Sequence, residues 1–322
     1  DNILITENDR RLAVTTQDVT ITAGDVTLAG TYTTPDSAGP HPGALVLAGS
    51  GPLDRDGNAR RIRLNLSRDL ARTLDANGWA SLRFDKRGVG SSTGDYLQAG
   101  FYDELADAEA ALGWLSSRPD VSSVVVIGHS IGATMATELA VRNEAVDGVV
   151  LLSVTAQTGE NTLTWQAAQI APTLPAPARA LLRLMRTDVL GQQRKALDRI
   201  MRTKGDVERI QGAKVNARWM RELIAYDPEP TLRRIRVPVL AMTGSKDVQV
   251  DPADVHVVAE VVVGAQAHVI DDVDHILRHE PRDVSNVRRY RKQAAQPIDA
   301  EVEQRLVEWL QHHTSGLPEV RP

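Results

Sequence analysis

Apolar and polar residues alternate along Leu12–Thr22 and again along Asp25–Thr34, with Ala23-Gly24 between them, a pattern that predicts an antiparallel strand pair. After the turn-rich TPDSAGPHPG the pattern changes. Ala44–Ala48, Trp79–Phe84, Ser123–Ile127, Gly148–Ser153, Val237–Met242 and Ala267–Ile270 are short, nearly continuous apolar runs, as expected of strands buried on both faces. Between and after them, Leu64–Asn77, Tyr102–Ser117, Ile131–Asn143, Ala253–Val263 and Ala300–His312 have helical spacing. The first of these stops at Gly78 and the second before Pro119, both natural helix ends. Strands alternating with helices predict an α/β fold whose mostly parallel sheet is flanked by helices through right-handed crossovers.

The alternation breaks between residues 156 and 227, where only helical patterns and loops are read. Leu181, Leu182, Met185 and Val189, then Leu197, Ile200 and Met201, then Trp219, Leu223 and Ile224 recur at helical spacing. The chain is therefore expected to comprise an α/β core, residues 1–155 and 228–322, and a helical cap, residues 156–227. Trp165, Met185 and Trp219 would serve either as the cap's own core or as pocket lining.

Composition narrows the chemistry. The chain has 322 residues, 42% of them hydrophobic, enough to bury a core without metal or disulfide. It has no cysteine, which excludes disulfide frameworks, thiolate metal sites and a cysteine nucleophile. The net charge of −5, with no strongly basic block, argues against nucleic acid as partner. No stretch approaches the roughly 20 apolar residues of a membrane helix, so no membrane span is expected. The charge is unevenly placed: the 156–227 segment is basic and the remainder acidic. Cytoplasmic location and secretion after signal removal both fit the sequence, and so does a homo-oligomer.

Gly128-His129-Ser130-Ile131-Gly132 falls where a buried strand should turn into a helix. A serine at such a turn projects its hydroxyl above the sheet edge. Glycines two residues to either side let strand and helix approach, and the helix N-terminus favours developing negative charge. A serine hydroxyl needs a base, and the base an orienting acid. Asp247, in GSKD just past one apolar run, and His275, in DDVDH just past the last, follow in chain order at the carboxyl edge of the predicted sheet. His279, expected on a helix, is the rival base. Asp251 is the rival acid, although Pro252 after it suggests a helix cap. His129 flanks the serine and is expected to point elsewhere. The glycine-rich bend Ala48-Gly49-Ser50-Gly51-Pro52 offers backbone N–H donors for an oxyanion. The N–H groups of Ser50 and Ile131 are the expected pair, with Gly51 the nearest substitute. Asp54, Arg55, Asp56, Arg83, Asp85 and Arg87 either bind substrate or, the simpler expectation, pair with one another to hold loops beside the site.

Taken together, AGSGPLDRDG, RFDKRGVGSSTG, VIGHSIGA, IRVPVLAMTGSKDVQV and DVDH resemble the α/β-hydrolases of the serine carboxylesterase and serine aminopeptidase-like group, and within it bacterial carboxylesterases of the EstD-like type. Ala48 stands where many relatives carry His. The resemblance implies an α/β-hydrolase fold with Ser130 as nucleophile, Asp247 as acid and His275 as base, acting on a small-molecule ester through an acyl-enzyme without cofactor or metal. Two alternatives stay open: a peptidase or amidase on short substrates, and a non-catalytic binding protein on a hydrolase scaffold. A halide- or epoxide-acting enzyme is disfavoured, because those need a carboxylate where Ser130 stands.

Overall fold

The computed structural model describes residues 14–184 and 187–314. Met185, the first residues of the strand predicted from Leu12, and the outer ends of the α/β span, 1–13 and 315–322, lie outside the described residues. In chain order the elements are β1 (Val14–Ala23), β2 (Val26–Pro35), β3 (His41–Leu47), β4 (Asn58–Ala59), β5 (Ile62–Arg63), α1 (Leu66–Ala76), β6 (Ala80–Phe84), α2 (Phe101–Ser116), β7 (Val121–His129), α3 (Ile131–Arg142) and β8 (Gly148–Leu152). Then follow α4 (Gly159–Ile170), α5 (Ala176–Leu184), α6 (Val189–Arg202), β9 (Val207–Ile210), β10 (Ala213–Asn216), α7 (Ala217–Ala225), α8 (Glu229–Leu232), β11 (Val239–Gly244), α9 (Asp254–Val261), β12 (Gln266–Ile270), α10 (Tyr290–Gln293) and α11 (Ala300–Thr314).

Eight strands form one sheet in the order β1-β2-β6-β3-β7-β8-β11-β12. The pairs from β6 to β12 are parallel, while β1–β2 and β2–β6 are antiparallel. The apolar runs explain the layering. Along β7, Val124 and Val126 face one core and Val125 and Ile127 the other; Val149 and Leu151 of β8 alternate with Val150 and Leu152 in the same way. One core takes α2, α3 and α9, through residues such as Leu105, Met135 and Val258. The other takes α1 and α11, through Leu70 and Leu306. Each fully buried Leu, Ile or Val removes apolar surface worth about 1.5–3 kcal/mol from water, which is why continuous apolar strands belong at the centre of such a sheet.

Two features depart from the sequence reading. Residues 156–227 are not purely helical: β9 and β10 form an antiparallel hairpin across Gln211-Gly212, both with positive φ, at 49° and 84°. Strands of four residues carry too short an alternation to register, and the turn chemistry is the only local signal. His279 is not on a helix. It makes an isolated antiparallel bridge with Val273, because the chain reverses sharply between them.

Candidate functional site

Four strands deliver the chemistry to one edge of the sheet. The carboxyl ends of β3, β7, β11 and β12 lead respectively to the Gly49–Pro52 bend, Ser130, Asp247 and His275. Ser130 has φ 55° and ψ −123°, a strained backbone for a residue with a side chain, at the junction of β7 and α3. The junction is fixed on both sides: the Ser130 N–H donates to the Leu152 carbonyl at 2.8 Å, and the Ser130 carbonyl accepts from the Ala133 N–H at 2.8 Å. Gly128 and Gly132 make it sterically feasible. A Cβ at Gly128 would run into the Gly132 carbonyl, and one at Gly132 into the Leu47 carbonyl.

His275 and Asp247 are in direct contact, His275 Nδ1 lying 2.7 Å from Asp247 Oδ2, with both side chains almost wholly buried. The second oxygen of Asp247 accepts the N–H groups of Gln249 at 2.8 Å and Val250 at 3.0 Å. Burial alone would raise the Asp247 carboxyl; His275 and the two N–H groups outweigh it and hold the pKa below the ordinary range. An ionised carboxylate only accepts, so the proton between the two sits on Nδ1 and leaves Nε2 free to act as a base. The Asp274–Arg278 turn presents the imidazole. Asp274 Oδ1 accepts the N–H groups of Ile276 and Arg278 at 3.0 Å each, and Asp274 N–H donates to the Arg278 carbonyl at 2.9 Å. Fully buried Arg278 in turn ties this turn to α1 through Asp69, 2.6 Å away.

Ser130 and His275 line one cavity of about 550 Å³. Ser130 also lines a second of about 170 Å³, with Ile131 beside it and Leu163, Trp219 and Leu223 from the 156–227 segment. Ser50 and Gln249 border both. A larger depression of about 760 Å³, between α1 and α11, includes none of these side chains. At the bend, the Gly51 carbonyl accepts the Leu53 N–H at 2.9 Å. Ile131 opens α3, so its N–H has no partner within the helix.

The rivals fall away from this centre. His279 is more than half exposed, with Nδ1 3.9 Å from Asp299. Asp251 accepts the Ala253 N–H at 3.0 Å and the Asp251 carbonyl accepts the Asp254 N–H, at the start of α9. The arginines of the two loop motifs pair with carboxylates, while Asp54 accepts the N–H groups of Asp56 at 3.0 Å and Asn58 at 2.9 Å. Arg55 forks onto Asp85 at 3.1 and 2.9 Å, Arg83 meets Asp56 at 3.1 Å, and Arg87 reaches outside the motifs to Asp107 at 2.7 Å. Of the two tryptophans, Trp219 is buried in the larger core and Trp165 half-buried.

His129 was expected to point away from the site, and it does turn from the serine. Its Nε2, however, lies 2.7 Å from the His275 carbonyl. A carbonyl only accepts, so Nε2 carries the proton and donates. Burial, then the neighbouring His275, pushes the His129 pKa down to about 3, so the ring stays neutral. This contact, the Asp274 turn and the place of Gln249 between the cavities escaped the sequence reading. Only the Asp one residue before His275 offered a local hint, as a turn-forming residue.

Residues 64–282, more than half of the chain, match the family described as serine aminopeptidase, S33. The chain belongs to this family of α/β hydrolases. It is 27% identical over 269 residues to the esterase EstD of Thermotoga maritima, an alignment covering 81% of this chain and 60% of that protein. The chain thus matches well under two thirds of that relative's length. Among solved structures, Est1E from Butyrivibrio proteoclasticus superposes with a TM-score of 0.64 at 15% identity, covering 92% of this chain and 99% of that one. An esterase of Pyrococcus furiosus gives 0.63 at 18% identity, covering 97% and 96%. At these identities the two structures establish the α/β-hydrolase fold. Among the described residues no helix is long and apolar enough to cross a membrane.

Proposed function

We propose that the protein is a serine hydrolase that cleaves carboxylic esters through an acyl-enzyme, with Ser130 as nucleophile, His275 as base and Asp247 as its orienting acid. The observation that carries the reading is the buried His275–Asp247 pair opening, with the strained Ser130 elbow, onto one cavity. His275 Nε2 takes the Ser130 proton as Oγ bonds to the ester carbonyl carbon. The N–H groups of Ser50 and Ile131 receive the oxyanion. The C–O bond breaks, and the alcohol leaves with the proton held on His275. Water then attacks the acyl-enzyme by the same route, releasing the acid and regenerating Ser130. Residues 156–227 act as a cap, since Leu163, Trp219 and Leu223 wall the smaller cavity. The relative EstD is named an esterase, which supports the choice of ester.

The aminopeptidase alternative is weaker on one specific ground. A free α-ammonium group calls for a carboxylate partner, and neither cavity beside Ser130 is lined by Asp or Glu among the described residues. The test is hydrolysis of 4-nitrophenyl acetate and labelling by a fluorophosphonate. Ser130→Ala should lose both while keeping its unfolding midpoint; a variant that still turns over or still labels overturns the assignment. Faster cleavage of aminoacyl amides than of esters would favour the peptidase.

A further inference from the structure

The two cavities meeting at Ser130 differ in size and in charge, and the position of His275 says which part of an ester each receives. On the reading above, His275 hands its proton to the departing alcohol, so the alcohol must lie on the side that His275 borders. His275 lines the cavity of about 550 Å³ and not the one of about 170 Å³. The small cavity, closed by Trp219, Leu223 and Val250, is then left for the acyl group, and its volume suits a short one.

The larger cavity has an unusual rim. Arg61, in the turn between β4 and β5, and Arg288 and Arg291, in the Val287–Gln293 stretch, all line it, and all three residues are exposed. No Asp or Glu lines it. The pairing found elsewhere is missing here. Arg55, Arg83 and Arg87 each meet a carboxylate, whereas the side chains of Arg61, Arg288 and Arg291 make no ion pair or hydrogen bond among the described residues. Two stretches far apart in sequence, NARRIR at 58–63 and VRRYRK at 287–292, thus bring unopposed positive charge to one opening of a chain whose net charge is −5. A cleft lined by one sign of charge focuses the field and raises the local concentration of the opposite sign, and guanidinium forks match planar anionic groups. Beneath the rim, Leu64, Ile276 and Val287 supply apolar wall.

We infer that the preferred substrates are esters of a short acyl group with a bulky alcohol that carries a negative charge, held by Arg61, Arg288 and Arg291. This rests on the proposed triad for the direction of departure, and on the cavity's own lining for the charge.

The test compares 3-carboxy-4-nitrophenyl acetate with its methyl ester, 3-methoxycarbonyl-4-nitrophenyl acetate, two acetates that differ in charge on the leaving group. At low ionic strength the carboxylate should show a KM about tenfold lower, as expected for a few exposed charges acting together. The gap should shrink toward 1 M salt, where the screening length falls to about 3 Å. In the triple variant Arg61→Gln, Arg288→Gln, Arg291→Gln the ratio of the two KM values should approach one. Mono-4-nitrophenyl succinate, with its charge on the acyl side, should gain nothing over 4-nitrophenyl butyrate. Equal KM values for the first pair, a ratio unchanged in the triple variant, or the same gain for the succinate overturns the inference. Calorimetric binding of 5-hydroxy-2-nitrobenzoate and its methyl ester to the unaltered protein separates the two levels. If neither acetate is cleaved, the reaction reading fails. The charged subsite then stands on tighter binding of the carboxylate and falls on equal binding.

Discussion

His129 Nε2 donates to the backbone carbonyl of His275 at 2.7 Å, so the residue preceding the candidate nucleophile holds the loop that carries the candidate base. The two rings lie 4.8 Å apart. A single buried hydrogen bond therefore couples the end of β7 to the turn after β12. Removing it with His129→Ala leaves a buried carbonyl without its donor, which costs about 1–3 kcal/mol. Denaturant unfolding should show that loss. The kinetic signature should be a fall in kcat larger than any rise in KM, because substrate contacts are intact while the imidazole is less well held. Gln in place of Ala, which restores a donor, should recover part of the rate; if Ala and Gln behave alike, the bond does not position His275.

Asp247 meets His275 through one oxygen and two backbone N–H groups through the other. Asp247→Asn keeps the volume but places an amide against Nδ1. An amide nitrogen facing the imidazole forces the proton onto the other ring nitrogen and removes the free base. The expected outcome is a kcat lower by roughly 10⁴-fold with little change in unfolding midpoint. Steady-state kinetics on 4-nitrophenyl acetate read it directly, and a loss below tenfold would remove Asp247 from the proposed role.

Burial pushes the fully buried Asp274 carboxyl up to about 7, and its Oδ2 has no hydrogen-bond partner among the described residues. The ordinary carboxyl titrates near 3.9 in an unfolded chain. A carboxyl whose pKa is raised on folding stabilises the fold below the unfolded value, and that stability is lost as pH rises through the folded value. Asp274 should therefore cost the protein stability progressively between about pH 4 and pH 7. Asp274→Asn keeps the Oδ1 acceptor for Ile276 and Arg278 and cannot ionise. Relative to the parent, its urea midpoint should be most improved above pH 7 and least below pH 4. A difference that is flat across this range would show that Asp274 does not titrate there.

The sheet was legible because buried strands such as VVVI and GVVLL leave no polar face, and a run of that kind has few other places to go. The elbow at Ser130 was legible because only glycine tolerates the contacts at positions 128 and 132, so the tight turn is written into its neighbours. Asp247 and His275 were candidates through their chain order after Ser130 and their places at strand ends, with Asp251 and His279 as rivals. What stayed hidden depends on long-range approach. The tether from His129 to His275 spans 146 positions. The rim of the larger cavity joins residues near 61 and 290. Four-residue β9 and β10, and the reversal that keeps His279 off a helix, rest on turn geometry that composition does not encode.

Gly128 and Gly113 separate the two reasons a glycine sits in this chain. A Cβ at Gly128 would meet the backbone of Gly132, which cannot move without opening the elbow, whereas a Cβ at Gly113, in the last turn of α2, meets nothing within 4 Å. Gly113 is exposed and helical, so Gly113→Ala should raise stability by about 0.5–1 kcal/mol through the lower backbone entropy of the unfolded chain. Gly128→Ala should lower it by about 1–3 kcal/mol or more and reduce turnover, since the overlap is relieved only by shifting β7 against α3 at Ser130. Thermal unfolding of both variants beside the parent checks the opposite signs. A Gly128→Ala protein as stable and active as the parent would show that the elbow has room the structure does not give it.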